Sequence, residues 1–365
     1  MFIPLASPDI QKKDIESVVS VLESGMLIQG AQVLKLEKQF SNFIQVNQSI
    51  AVSNGTATMH LVLKALGIGP GDEVIVPAFS YVATANVVEL VGAIPIFVDI
   101  EIDTFNINAK LIEEKITKNT KAIIPVHEFG LACDIVEICK IAEKYQIYVI
   151  EDAACALGAK QNNQRVGSFG IAGSFSLHPR KSITSGEGGI ITSNDEDLSI
   201  KLRQLRNHGI EMIDGIMVFE EAGFNYRLTD IQAALASSQF DRIENTLEYK
   251  NDLAQVYFSE ISNKKIKLPT IPNDRNHSWQ TFHILLDESM DQKEAIAFFK
   301  SNQIGVNYGA QCIPAQRYYV NKYQLDYQTL YPNAFSAYKK GIAVPLYEKL
   351  EKEHIQYISK IINQL

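Results

Sequence analysis

From Val52 to Ser193 the chain alternates short apolar runs with amphipathic stretches, and few folds can use that pattern. The runs EVIVPAF, IPIFVDI, KAIIPVH and IYVIEDA are rich in Val and Ile and bounded by glycine or polar residues. Between them lie segments such as DIVEICKIAEKY, apolar on one helical face. A strand that is apolar along its whole length needs cover on both faces, and intervening helices supply it. The pattern predicts an α/β protein with a mostly parallel sheet, whose ligands gather at the carboxyl ends of the strands. With 365 residues, 46% of them hydrophobic, the chain can build that core and a second unit beside it.

Thr229 opens a long helical region, TDIQAALASSQFDRIENTLEYKNDLAQVYFSEI, with Thr229 and Gln232 at the spacing of a capping box. Past Ile261 the polar, proline-punctuated NKKIKLPTIPNDRNHS reads as a connection, and the remainder as a small α+β unit. The expected division is a large domain with an N-terminal arm, residues 1–245, and a small C-terminal domain, residues 246–365. A formal charge of -8 argues against non-specific nucleic-acid binding, which depends on a basic face. MFIPLASPDI lacks the basic end and apolar run of a signal peptide, and no apolar stretch is long enough to cross a bilayer. Cys133, Cys139, Cys155 and Cys312 show neither C-x-x-C pairing nor zinc spacing, so free buried thiols in a reducing cytoplasm are expected and no metal.

Three stretches carry chemistry. In SNGTATMHLVLKAL, Met59, Val62, Leu63 and Leu66 form one helical face, so a helix begins near Gly55 and Thr56. That end is either an ordinary N-cap or a phosphate cup, with Gly55 permitting close approach and Thr56 adding a hydroxyl. GIGPGDE, by contrast, follows a helix and lacks the G-x-G-x-x-G spacing; it is a turn. VIEDAACALGA places Glu151 and Asp152 at the end of an apolar strand, where a carboxylate can keep a heteroaromatic nitrogen protonated or cap a helix. In SFSLHPRKSITSGEGG, Ser174 and Ser176 share a strand face, and Lys181 precedes glycines that let backbone pass close to a planar ligand. His178 and Arg180 are cationic candidates that would favour a neutral, nucleophilic amine. A phosphate cup, an acid for a ring nitrogen and an amine for an aldehyde together describe a pyridoxal 5'-phosphate site.

The chain resembles the DegT/StrS family of aminotransferases. The likeness runs through IQGAQVLKLEKQF, SNGTATMHLVLKALGIGPGDEVIVPAFSYVATAN, GAIPIFVDI, IPVHEFG, IEDAACALGA, SFSLHPRKSITSGEGGIITS, LRNHG and GFNYRLTDIQAAL. The resemblance implies the pyridoxal phosphate fold-type I architecture, a mixed, mostly parallel sheet flanked by helices with a small C-terminal α+β domain. It implies that Lys181 forms the internal aldimine, that Asp152 partners the pyridinium nitrogen, and that Gly55, Thr56 and Ser176 bind the phosphate. It further implies that Tyr81 stacks on the cofactor and that Asn225 reaches the phosphate of a neighbouring subunit, giving a homodimer with shared sites. Arg227 would be an anion contact; His178 and Glu128 are placed on the substrate side. Three positions depart from the family: Cys155, near the ring hydroxyl, stands where Gln or His is usual; Ser182 stands where Asn is common; and Glu128 replaces a residue that is more often apolar.

The expected reaction is a two-half transamination from L-glutamate, through pyridoxamine phosphate, to a ketone, with Lys181 moving the proton and Asp152 holding the ring charge. The family default acceptor is a nucleotide-linked 4-keto-6-deoxy sugar of polysaccharide or glycan biosynthesis. The alternatives are a small keto-phosphate such as dihydroxyacetone phosphate, giving serinol phosphate, and a non-catalytic, cofactor-binding regulatory protein.

Overall fold

The computed structural model describes residues 2–365. Seven strands form the main sheet: β1 (Gln48–Val52), β2 (Glu73–Pro77), β3 (Ile94–Val98), β4 (Thr120–Ile123), β5 (Tyr148–Asp152), β6 (Ala172–Ser176) and β7 (Gly189–Ser193). Their spatial order is β3-β2-β4-β5-β6-β7-β1, and β7 alone runs against its neighbours. The apolar runs read from the sequence are the parallel strands, and most of their residues are fully buried.

Helices α1 (Lys12–Ser24) and α2 (Ala31–Ile44) precede these strands, α3 (Gly55–Ala65), α4 (Ala83–Leu90) and α5 (Ile135–Tyr145) link them, and α6 (Glu196–Arg206) follows the last. One core, with Val62, Val76, Phe79 and Ile150, lies on one side of the sheet; another joins Phe40 of α2 to Phe175 of β6 on the other. Because β1, β2, β4, β5 and β6 run the same way, their carboxyl ends open on one rim. That geometry, fixed by parallel pairing, creates the site.

The long helical region expected after Thr229 is made of two helices, α7 (Asp230–Phe240) and α8 (Ile243–Glu260). Thr229 and Gln232 form the anticipated capping box. The break falls at Arg242, whose backbone leaves the helical region (φ -114°, ψ 12°) and whose guanidinium grips Asp14 at 2.7 and 3.0 Å and the carbonyl of Asp9 at 2.7 Å. A partner far away in sequence thus ends a helix whose local pattern would continue. The 245/246 division lies in the first turn of α8, whose Leu253, Ala254 and Tyr257 pack with Trp279, Phe282 and Ile355 in a C-terminal core. There β8 (Ile266–Lys267), β9 (Phe282–Leu286) and β10 (Gly341–Val344) form an antiparallel sheet. Not all of the C-terminal third stays there: Tyr319, Tyr331 and Ala337 enter the core of the main sheet.

Candidate active site

Lys181 stands on the loop leaving β6. Its N–H donates to the His178 carbonyl at 2.9 Å, and the loop is held by Gln239, which accepts from the Thr184 N–H at 3.0 Å and donates to the Thr184 carbonyl at 2.7 Å. The Lys181 Nζ donates to Cys155 Sγ at 2.9 Å. The glycines that follow have a different role from the one their sequence suggested. A Cβ on Gly188 would come within 2.4 Å of Ser185 Oγ, and one on Gly189 within 2.5 Å of the Asn54 carbonyl. They let this chain close on itself, and no ligand is needed to explain them.

Glu151 and Asp152, adjacent in sequence, part company in space because successive strand residues point to opposite faces. Glu151 turns to the helix-covered face and accepts from the N–H groups of Gly167, Phe169 and Gly170 at 2.7, 2.7 and 2.9 Å. His127 completes the arrangement. Its Nδ1 accepts from the Cys133 N–H at 3.1 Å, so its Nε2 carries the proton and donates to Glu151 at 3.0 Å. Asp152 faces the rim instead, accepting from Thr84 Oγ1 at 2.8 Å and the Ala154 N–H at 3.2 Å. Burial pushes its carboxyl above the usual range, opposed by the Thr84 and Ala154 hydrogen bonds and by the charge of Lys181.

Beside them the start of α3 meets the end of β6. Asn54 is the N-cap, its side chain accepting from the Ala57 N–H at 2.8 Å, which leaves the N–H groups of Gly55 and Thr56 outside the cap. A Cβ on Gly55 would lie 2.8 Å from the Ser176 Cβ, so glycine is what lets the helix end approach that serine. Ser174, on the same face one layer deeper, is engaged by Thr58 within the core. A positive helix end beside the Ser176 hydroxyl is an arrangement that can hold an anion.

Glu128 lies in the loop after β4. It is 4% exposed, its Oε2 has no hydrogen-bond partner, and burial with Asp152 nearby pushes its carboxyl up to about 8. His178 bends back, its Nδ1 accepting from the Arg180 N–H at 3.3 Å, and burial lowers its pKa. Tyr81, 67% exposed, sits just before α4. Asn225 is exposed and bridges Asn207, and Arg227 runs antiparallel to Val52 and donates to the Asn207 side chain. Neither side chain hydrogen-bonds to the side chain of Lys181 or Asp152 within this chain. Of the thiols, Cys133 and Cys312 are buried as expected, but Cys139 and Cys155 are only half-buried.

Sequence reading missed Thr84, which orients Asp152, and Lys250, whose Nζ donates to Ser182 Oγ at 3.2 Å. Lys250 left a signal: it shares a helical face with Leu253, Ala254 and Tyr257, an apolar stripe on which a lysine needs an explanation. Among the described residues no helix is long and apolar enough to cross a membrane, and no His/Cys/Asp/Glu group is placed to hold a metal ion.

Residues 8–363 match the DegT/DnrJ/EryC1/StrS aminotransferase family. GDP-perosamine synthase of Vibrio cholerae is 32% identical over 99% of this chain and 98% of its own length. The spore coat polysaccharide biosynthesis protein SpsC of Bacillus subtilis is 32% identical over 100% of this chain and 97% of its own. Among solved structures, Spr1654 from Streptococcus pneumoniae in its PMP-form superposes with a TM-score of 0.95 at 30% identity, covering 100% of this chain and 97% of that one; a PLP-form gives 0.94. The fold expected from the resemblance therefore holds from end to end, and the chain belongs to the DegT/DnrJ/EryC1/StrS aminotransferase family.

Proposed function

We propose that this enzyme is a sugar aminotransferase that moves the amino group of L-glutamate to the keto carbon of a nucleotide-linked sugar. The observation that carries the reading is the meeting of Lys181, Asp152 and the Gly55–Ser176 cradle on one rim of the sheet. These residues fit pyridoxal phosphate: Lys181 Nζ would hold its aldehyde carbon, Asp152 its ring nitrogen, and the N–H groups of Gly55 and Thr56 with the Ser176 hydroxyl its phosphate. The unpartnered Glu128 Oε2 leaves a polar position for a ligand group in the same place. When bound, the cofactor supplies an electron sink for the carbon that loses its proton.

The chain's own residues do the rest. Lys181 Nζ would accept the proton from the donor α-carbon and return it, across the intervening nitrogen, to the carbon that was the cofactor's aldehyde. Asp152, oriented by Thr84, stays ionised against the ring cation. Perosamine synthesis by one relative and polysaccharide biosynthesis by another support a nucleotide-linked sugar as acceptor. Asn225, exposed in the single chain, suits a homodimer in which it reaches the phosphate site of a second copy.

The cofactor-loaded protein should lose its visible band with glutamate and regain it fastest with a nucleotide keto-sugar, and Lys181→Ala should abolish both changes. Borohydride reduction followed by digestion should leave the label on the Lys181 peptide. A label on another peptide overturns the assignment of the lysine. Faster recovery with dihydroxyacetone phosphate would overturn the sugar acceptor and leave the transaminase.

A further inference from the structure

We infer that Glu128 is a positioning residue of this site, a buried carboxyl that keeps its proton and so leaves Asp152 as the one negative side chain facing the cofactor. The inference rests on the functional reading above. Its geometry begins with the backbone. His127 is pinned by Glu151 and the Cys133 N–H, and the Glu128 N–H donates to Asn106 Oδ1 at 2.8 Å. Phe129 follows in the left-handed region (φ 55°) and Gly130 at φ 104°, where a Cβ would come within 2.6 Å of Ser278 Oγ and 3.1 Å of the Cys155 carbonyl. The residues on both sides are locked, so the direction of the Glu128 carboxyl is set by the fold.

That direction is inward. The carboxyl is buried where the charges of Asp152 and Lys181 act on it, with the Ser80 hydroxyl and Cys155 as neighbours. From the C-terminal unit, His277 and His283 line the neighbouring cavity together with Asp103 of the large domain. His283 is stacked on Phe129 at 4.3 Å. Buried near each other, two carboxyls each disfavour the other's ionisation. Both carboxyls have neighbours that favour charge, Thr84 and the Ala154 N–H at Asp152 and the Ser80 hydroxyl and Phe129 N–H at Glu128, but Glu128 Oε2 is buried with no partner and is the oxygen on which a proton can sit. The proton therefore belongs to Glu128.

The groups around it do not compete for the same pH range. Burial raises the Cys155 thiol, and it depresses His277 and His283 to about 3, so all three are neutral near pH 7. The protonated carboxyl can donate a hydrogen bond that a carboxylate cannot. Its ionisation would place a second negative charge beside the nitrogen of Lys181 and hold a proton there to higher pH.

Infrared difference spectra of the cofactor-loaded protein, grown with carboxyl-labelled glutamate, test the protonation state directly. The expected result is a protonated-carboxyl carbonyl band at pH 6 that fades as the pH passes about 8 and is missing from Glu128→Gln. Its absence from the wild-type protein, which needs no variant to fold, overturns the inference. A visible-band pH titration tests the action on the cofactor: Glu128→Gln, neutral like the protonated acid, should leave the midpoint within a few tenths of a unit where it lies below about pH 8, and a midpoint lowered by about one unit would show a carboxylate there and overturn the inference. Failure to load the cofactor on Lys181 at all would instead overturn the functional reading.

Discussion

At the scale of single residues, three carboxyls within one short stretch of structure show how environment assigns roles. Glu151, fully buried, is satisfied by three N–H groups and His127, and its work is to fix the turn between β5 and β6. Asp152, one residue on, has two hydrogen bonds and an open side toward the rim. Glu128 has an oxygen with no partner. A buried acid in that state makes stability depend on pH in a direction opposite to most carboxylates. Its folded value, about 8, lies above its ordinary 4.5, so between those values the folded chain binds more protons than the unfolded one. Stability should therefore fall as pH rises from about 4.5 to about 8 and change no further from this cause above it. Guanidinium titrations at pH 6 and 8.5 should show the wild-type protein losing stability between them, and Glu128→Gln losing roughly 2–4 kcal/mol less. Equal slopes for both proteins would mean that the carboxyl is already ionised in the folded chain.

At the scale of elements, α2 and α7 are joined by one side chain. Asp230, 3% exposed in the first turn of α7, accepts from the N–H groups of Gly30 and Val33 at 2.8 and 3.0 Å and of Gln32 at 3.2 Å. It thus satisfies the free donors of α2 from another helix, a charge-assisted cap across 200 residues of sequence. Asp230→Ala leaves those donors buried without a partner and should cost about 1–3 kcal/mol, read as a lower denaturation midpoint; Asp230→Asn should recover part of it. This cap marks what could and could not be read from the sequence. The parallel strands were legible because each is a Val/Ile run buried on both faces, and the Thr229–Gln232 box because its partners are local. The break at Arg242 and the cap by Asp230 were not, because both depend on groups hundreds of residues away. The same division runs through the site. Lys181 and Asp152 could be placed from motifs at strand ends, whereas the separation of Glu151 from Asp152, the cap at Asn54 and the hold of Thr84 on Asp152 depend on which way a side chain faces.

At the scale of the whole molecule, the surface is incompletely covered in one chain. The segment Asn207 to Gly223 contains an antiparallel hairpin, Ile210–Ile213 with Ile216–Phe219, turned by Asp214 (φ 51°) and Gly215 (φ 78°). Those left-handed angles suit a tight turn whose twist matches its strands, so the hairpin is well made. Yet Met212, Ile216, Met217 and Phe219 project from it largely exposed. Ile15, Val19 and Leu22 of α1, followed by Met26 and Ile28, present another apolar surface. Apolar areas of that kind on a folded chain mark contact surfaces, and Asn225, proposed to reach a neighbouring subunit, is exposed in the single chain. If a second copy covers the hairpin, Met217→Glu with Phe219→Glu buries two charges in the interface and should shift sedimentation from a two-chain to a one-chain species. Because the turn and strands face solvent in the single chain, the thermal midpoint of each chain should move little. Cofactor retained through dialysis should fall several-fold, since the partner's contribution to each site is lost with the dimer. A wild-type protein that sediments as one chain while holding its cofactor and transferring amino groups would show that each chain completes its own site.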